Sequence, residues 1–322
     1  MARRRSRVAG AINPVATVRE VLSIVREMSF DDLRDVALRQ PRVAVIARTV
    51  DEAREVAGLV FGPEAAGLVV AQRENEVWPH AADIVLVARD ARPDGVRYLD
   101  ARTVEFSAGE PVERIRQSVV RVGDDMELAL GRAFPALRQV AAMHVIHVTS
   151  RVNGQFALAS NLPALVPVVG GLLAAGADTI VLTKNQLMMI YKLAAIHDRD
   201  LDNRFRIYQE MVPVVGAGLF WRTVARDLAA MIPFAAGAVP KVAIAYAGTF
   251  AAGMAAHVYY HEGKRVDSAR MRQFYRRALQ ELKERPDLLR SLPLPNRLRG
   301  DGEQRPVIVD VDYRSDASAE MP

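Results

Sequence analysis

The segment Thr183-Lys184-Asn185-Gln186 is where the sequence first suggests chemistry. It follows an apolar run and precedes a helical pattern, as does the loop Asn/Thr-Lys-x-Asp with which GTP-binding proteins bind guanine. In that loop the final carboxylate accepts hydrogen bonds from two ring donors of the base. The amide of Gln186 has a single acceptor oxygen and does not reproduce that bidentate contact.

A phosphate-binding loop is also missing from the expected place. GTPases carry Gly-x4-Gly-Lys-Ser/Thr between their first strand and first helix. The first buried strand here, 42–47, is followed by Arg48, Thr49 and Val50, and then by Asp51 and Glu52. No glycine lets backbone amides close on a phosphate, and the two carboxylates would repel one. We therefore expect no GTP hydrolysis.

The same segment has a simpler interpretation as part of a helix. The pattern Thr183-x-x-Gln186 predicts a capping box. An apolar stripe at helical spacing follows it, formed by Leu187, Ile190, Tyr191 and Ala194. We predict that the segment starts or continues a buried helix, in which Lys184 and Asn185 remain available to line a polar pocket.

Two histidine pairs have the spacing of metal ligands on one helix face. His144 and His147 are three residues apart, and His257 and His261 are four apart. Neither pair has a third ligand at a fixed spacing, and the order His-x-x-x-His-Glu is not that of the zinc proteases. No Gly-x-Ser-x-Gly motif and no conspicuous carboxylate pair is present. We therefore expect structural histidines, no metal, no cofactor and no catalysis.

Polar residues within apolar, helical segments are the remaining candidates. Buried polar groups need hydrogen-bond partners, so we predict one internal, structural network. Its candidate members are Arg138, Asn153, Gln155, Asp178, Thr183, Lys184, Asn185, Gln186, Lys241 and Thr249.

The chain that must position these residues is long enough to form two ordinary domains. It has 322 residues, of which 50% are hydrophobic and none is cysteine. The lack of cysteine excludes disulfides, thiolate nucleophiles and cysteine zinc sites.

The net charge of +5 arises partly from a basic arm, 1–16. Such an arm can bind nucleic acid phosphates or anionic lipid, but we favour the interpretation that it is a solvated tail. Without interleaved aromatic residues or an apolar core, neither nucleic acid binding nor a signal peptide is expected.

Residues 17–123 are predicted to form a helical lead-in and a small α/β domain. Two short helices are expected over 17–40. Strands are expected at 42–47, 67–72 and 82–89, with one or two more within 96–108. A capping box at Thr49-x-x-Glu52 begins a helix that ends at Gly62, and a second helix begins with Pro111 at its first position. This alternation predicts a partly parallel sheet.

Residues 124–285 are predicted to be a larger, all-helical domain with Ala- and Gly-rich apolar helices, so the fold class is α+β. Pro135 is expected to interrupt the first helices. The last helix, 268–284, has an apolar face that includes Met271, Phe274 and Tyr275, and Pro286 ends it. Residues 286–322 are interpreted as a mostly disordered tail, with one candidate strand at 305–313.

Two apolar runs raise the question of a membrane. The run 162–177 is shorter than the approximately 20 residues of a spanning helix, and the run 228–256 contains Lys241, whose charge is costly in a bilayer. Basic segments flank the pair, which fits two spans with both termini inside. Insertion in the membrane, attachment to its surface and burial in a soluble core all remain open.

Residues 134–264, about 40% of the chain, resemble the YcjF-type domain of unknown function. The resemblance rests on Leu182-Thr183, Asn185-Gln186, Met189 and Leu193-Ala194, followed by Gly248-Thr249 and Tyr259-Tyr260. It implies an all-helical, membrane-proximal module that in some relatives follows an Era-like GTPase domain. Residues 41–123 would then be either a degenerate remnant of a GTPase or an unrelated small fold.

Two functional hypotheses follow. The first is a non-catalytic helical module on the cytoplasmic side, associated with or close to a membrane. It acts through protein contacts, either with a GTPase or with a second copy of itself. The alternative is that residues 41–123 bind a nucleotide or phosphometabolite, because a strand there leads into a helix N-terminus, which attracts anions.

Overall fold

A computed structural model of the chain describes residues 30–63, 65, 69–73, 82–91, 102–159, 177–203, 205–207 and 238–285. These residues form a small sheet followed by a larger set of helices, which confirms the predicted α+β class. The basic arm, the tail 286–322, the candidate strands at 96–101 and 305–313 and most of the run 162–177 lie outside the described residues.

The described sheet has four strands in the order β2-β1-β3-β4. The strands are β1 (Val43–Ala47), β2 (Val69–Arg73), β3 (Ile84–Ala88) and β4 (Arg102–Phe106). Every described pairing is parallel, so the sheet here is more regular than the partly parallel one predicted. All residues of β1 and β3 are buried, as expected for parallel strands covered on both faces.

Helices α2 (Val50–Phe61) and α3 (Val112–Val122) share one hydrophobic cluster with the sheet. Thr49 caps α2, since its Oγ1 accepts a hydrogen bond from the backbone N–H of Glu52 at 3.2 Å, and Gly62 follows the helix with a φ of 91°. The predicted start of α3 is wrong by one residue: Pro111 precedes the helix as its N-cap. Arg116 of α3 donates to the carbonyl oxygens of Leu59 and Val60, which satisfies acceptors at the end of α2.

Among the described residues, the helical part comprises α1, which precedes the sheet, and five helices that follow α3. They are α1 (Asp31–Leu38), α4 (Glu127–Ala133), α5 (Arg138–Ala159), α6 (Ala177–Ile196), α7 (Ala238–Glu262) and α8 (Ser268–Glu284). A short 3-10 turn, Pro135–Leu137, separates α4 from α5, so Pro135 interrupts the helical run as predicted. Helix α7 lies at the centre and packs against α5, α6 and α8.

Helix α4 joins the two larger of the three hydrophobic clusters that the described residues form. Leu128 belongs to the core of the helical part, whereas Met126, just before the helix, and Leu130 belong to the core beneath the sheet. Helix α1 also packs against α4 and α6, and Phe30 beside it contacts the ring of Tyr191 with centroids 4.7 Å apart. The lead-in helix therefore buries its apolar face in the helical core.

Among the described residues, one helical stretch, Val242–Glu262, is long and apolar enough to cross a membrane. In the structure 67% of its most apolar part is already buried inside the fold. Length and composition therefore agree with a bilayer span, while the packing is that of a core helix.

Candidate functional site in the helical layer

A polar layer crosses the interface of α5, α6 and α7. Asn153 of α5 lies at its centre and is completely buried. Its Nδ2 donates to Oγ1 of Thr249 on α7 at 2.9 Å, and its Oδ1 accepts from Nδ2 of Asn185 on α6 at 2.8 Å. Nε2 of Gln186 donates to the same Thr249 oxygen at 3.3 Å. Four of the candidate residues are thus brought together from three helices.

Small neighbouring residues allow the three helices to approach closely enough for these bonds. A Cβ added at Gly253 of α7, one turn after Thr249, would lie 2.7 Å from Cγ1 of Ile146 on α5 and 3.0 Å from the sulfur of Met189 on α6. Ser150 satisfies its own buried hydroxyl, because Oγ donates to the carbonyl of Ile146 at 2.7 Å.

The chemistry available to the layer is hydrogen bonding alone. Amide and hydroxyl side chains do not titrate near neutral pH, and Thr249 Oγ1 already accepts two hydrogen bonds. A buried network with satisfied members fixes the relative positions of the elements that carry it. The layer therefore sets the rotation and axial register of α5, α6 and α7.

The other predicted members are located differently. Arg138 begins α5, roughly 22 Å along the helix from Asn153 at 1.5 Å per residue, and its Nε donates to the carbonyl of Gly131 at 3.3 Å. Gln155, Thr183 and Lys184 are partly buried and have polar contacts of their own. Asp178 lies in α6 and Lys241 lies in α7, but the structure describes only the backbone of these two residues and not their side chains.

The predicted capping box at Thr183 is wrong. Helix α6 begins at Ala177, so the residues from Thr183 to Gln186 lie inside it and no strand leads into them. The local pattern favoured a helix start, but packing of α6 against α5 and α7 extends the helix through the preceding apolar residues. This geometry is not that of a guanine-binding loop.

A second polar cluster contains three histidines at one end of the bundle. Nε2 of His197, just after α6, is 3.1 Å from Nδ1 of His257 on α7. The ring centroids of His197 and His261 are 5.9 Å apart, and those of His257 and His261 are 5.8 Å apart. Sequence spacing identified the pair on α7 but not His197, which only the tertiary fold brings beside it.

Burial is the main influence on the protonation of His197 and His257. The pKa of His197 is lowered to about 3, mainly by burial and in smaller part by the neighbouring histidines, Arg138 and Arg199. The pKa of His257 is lowered to about 4, mainly by burial, although Glu262 acts in the opposite direction. Both rings are therefore neutral at physiological pH.

The other histidine pair is divided between two environments. His144 Nε2 lies 2.6 Å from Oδ1 of Asp124, and this hydrogen bond is the main cause of the lowered pKa of Asp124. His147 is buried, and its Nδ1 is 3.3 Å from the hydroxyl of Tyr246. Burial lowers the pKa of His147 to about 3, so its 3.5 Å contact with Glu281 is not an ion pair at neutral pH.

A buried carboxylate that the sequence analysis missed lies near Asp124. Glu127 of α4 is 7% exposed, and its Oε1 is 3.4 Å from Nζ of Lys192 on α6. Burial raises its pKa, against the attraction of Lys192. Nothing in the local sequence distinguishes Glu127 from an ordinary acidic residue in a first helical turn, so only the fold reveals it.

The carboxyl ends of β1 and β3 meet where the strand order reverses, which is the usual ligand site of such sheets. Arg48 follows β1, and its Nε is 3.3 Å from Asp90 and 3.7 Å from Glu52. Thr49 uses its hydroxyl to cap α2. Both side chains that directly follow β1 are thus engaged within the protein.

Comparison with known proteins gives no match among protein-family models, curated proteins or solved structures. The resemblance to YcjF-type domains therefore stays a prediction that rests on the motifs themselves.

Proposed function

We propose that the chain is a non-catalytic helical module that is associated with a membrane or lies close to one, and that acts through protein contacts. The resemblance to YcjF-type domains supports an Era-like GTPase on the cytoplasmic side as the partner, and self-association is the other form of contact. The observation that carries the proposal is the apolar helix Val242–Glu262, which the polar layer joins to two further helices.

The arrangement of the described polar groups supports a structural role over a catalytic one. The amides of Asn153 and Asn185 bond each other, Glu127 contacts Lys192, and Arg48 contacts Asp90. In each case the side chain that might act on a substrate is used within the fold.

Membrane association is tested by fractionating cells and washing the membranes with high salt, carbonate and then detergent. We expect the chain in the membrane fraction at low salt. Release by salt or carbonate indicates surface attachment, and release by detergent alone indicates insertion. Recovery wholly in the soluble fraction at low salt would overturn the membrane part of the proposal.

Protein contact is tested with the purified full chain. Its mass in solution detects self-association, and sedimentation with a purified Era-like GTPase of the same genome, loaded with GTP or GDP, detects the proposed partner. We expect either a dimer or a complex that depends on the nucleotide state. A monomer that binds neither form would contradict a role through these contacts.

A second candidate function is binding of a nucleotide or phosphometabolite by residues 41–123. The strand order favours it, because ligands of such sheets bind where the strand order reverses, and here that point lies between β1 and β3, near the N-terminus of α2. Calorimetry with GTP, ATP and cyclic dinucleotides tests it, and an Arg48→Ala variant should weaken any binding found. The absence of heat at millimolar ligand would exclude this function.

A further inference from the structure

One arginine of α5 is buried with part of its guanidinium unsatisfied. Arg151 is 4% exposed, and its buried Nε has no hydrogen-bond partner. A buried charge is costly unless it is paired and hydrogen-bonded, so an arginine of this kind calls for a partner that the chain does not supply. We infer that Arg151 is the centre of a binding site for a phosphate group. The inference is independent of the function proposed above.

Two further arginines lie on the side of α8 that approaches Arg151. Arg277, Glu281 and Arg285 are four residues apart, so they follow one another along one side of the helix and its end. His147 links the two helices, because its Nδ1 is 3.5 Å from Oε1 of Glu281, and Arg151 lies one turn after it in α5. The charges of all three arginines act on Glu281, so the arginines converge on one region from two helices.

The charges of this region do not balance. Three guanidinium groups surround the carboxylate of Glu281, which leaves an excess of two positive charges when that carboxylate is ionised. His147 adds no charge at neutral pH, because burial lowers its pKa to about 3. Glu284, in the last turn of α8, is exposed and accepts a hydrogen bond from Gln280 at 2.6 Å, and Lys283 beside it offsets its charge. The region therefore attracts an anion.

A phosphate group is the anion that suits these donors. The planar fork of a guanidinium matches two phosphate oxygens, and the bonds are strong because both partners are charged. Arg277 is exposed, and Val152, next to Arg151 in α5, is 37% exposed, so the site lies beside the surface of the protein. The carboxyl end of α8 repels anions and limits the affinity. The phosphate can belong to a soluble compound or to the headgroup of an anionic phospholipid.

The soluble source is tested with the full chain in a buffer without phosphate. Adding potassium phosphate should raise the melting temperature, whereas potassium chloride at the same ionic strength should raise it less. Arg151→Gln should weaken phosphate binding by about tenfold or more. Without phosphate this variant should melt no lower than the parent, because it lacks the unsatisfied buried charge, whereas an arginine with a purely structural role would be missed.

The lipid source is tested by flotation of the same chain with vesicles of phosphatidylcholine, alone or mixed with phosphatidylglycerol. Arg277→Gln should weaken binding by about two- to fivefold in whichever arm responds. Arg276→Gln is the matched control, because it removes the same charge from the neighbouring exposed position, which is not among the groups that act on Glu281 or His147. The basic arm is present in every variant, so its attraction to anionic lipid cancels in the comparison.

A response to potassium phosphate that Arg151→Gln abolishes identifies a soluble compound, and flotation that depends on Arg277 but not on Arg276 identifies a headgroup. Either result supports the site. The absence of both responses in the parent would overturn it, as would an unchanged response in Arg151→Gln or equal weakening by Arg276→Gln and Arg277→Gln. If Arg151→Gln fails to fold, the two exposed α8 variants decide alone.

Discussion

At the scale of single residues, the members of the polar layer differ in burial and in the number of hydrogen bonds that they make. Asn153 is both donor and acceptor and is fully buried, whereas Asn185 and Gln186 are partly buried and each make one of the bonds that define the layer. Loss of the central amide therefore removes a hydrogen bond to each of two other helices. Loss of a peripheral amide removes only one.

We predict that Asn153→Leu lowers the free energy of unfolding more than Asn185→Leu does. Each buried group left without a partner costs about 1–3 kcal/mol. Asn153→Leu removes the partner of the Asn185 amide and one of the two donors to Thr249 Oγ1, whereas Asn185→Leu removes a single bond of the layer. Denaturant unfolding of the two variants and their double mutant measures the costs and the coupling. Gln273→Leu, which replaces an exposed amide on α8, should have little effect.

A smaller cost for Asn153→Leu than for Asn185→Leu would contradict the central position of Asn153. The same variants test the guanine-binding interpretation of the segment from Thr183 to Gln186. If Asn185→Leu melts like the parent but abolishes GTP binding, the segment binds guanine after all.

His147 predicts a pH dependence of stability. Its folded pKa of about 3 lies below the ordinary value of 6.5, so the unfolded chain binds a proton more readily. Stability from this residue is complete above pH 6.5 and is lost as the pH falls toward 3. Between pH 7 and pH 5 the loss should be about 2 kcal/mol.

The measurement compares urea unfolding of the parent and His147→Leu at both pH values. The charged or titratable neighbours of His147 are Glu281, Arg151, His144, Tyr246, Arg277 and Arg285. They are present in both proteins, so the difference between the two isolates His147. We expect the variant to lose less stability on acidification; an equal loss would show that His147 is not buried in its neutral form.

At the scale of elements, the contact of α7 with α5 depends on a residue without a side chain. Gly253 lies where a Cβ would approach Ile146 to 2.7 Å. The branched Ile146 is stiff, so the added atom cannot be accommodated by a simple rotation. The glycine at position 253 of α7 is therefore explained by close packing inside the fold as well as by a membrane.

We predict opposite effects of the same substitution in two helices. Gly253→Ala should destabilise the protein by about 1–3 kcal/mol, because overpacking shifts the helices apart. Gly58→Ala in α2 should stabilise it by about 0.5–1 kcal/mol, because nothing lies within 4 Å of the added Cβ and alanine favours a helix. Thermal unfolding of both variants checks this, and a stabilising Gly253→Ala would disprove the close contact.

At the scale of the whole molecule, α4 makes the sheet and the helices mutually dependent. Leu130, on α4, is completely buried in the cluster beneath the sheet, and Leu128 on the same helix is buried in the helical core. Glu127 of α4 also contacts Lys192 of α6. A structural change in the sheet therefore alters the packing of the helical part, and a change in the helical part alters that of the sheet.

We predict that Leu130→Ala destabilises both parts in a single transition, at a cost of about 2–5 kcal/mol. Hydrogen exchange followed by mass spectrometry should show protection falling together in β1 and in α7. Leu59→Ala is the matched control, since Leu59 is 50% exposed. Loss of protection in β1 alone, with α7 unchanged, would show that the two cores unfold independently.

The sequence by itself determined much of the fold. Strand–helix alternation identified the α/β part, the capping pattern at Thr49 and Gly62 located α2, and Pro135 marked the break before α5. These features are local: a cap, a breaker or an apolar period acts within a few residues, so the sequence displays it directly.

Only the tertiary structure decided which residues meet. It extended α6 back to Ala177, separated Arg138 from the polar layer, buried Glu127 beside Lys192 and placed His197 against His257. Residues 60 or more positions apart in sequence are brought together by the packing of α4, α5, α6 and α7. That packing depends on the shapes and burial of many side chains at once. A local pattern covers only a few residues, so it does not predict which distant side chains will meet.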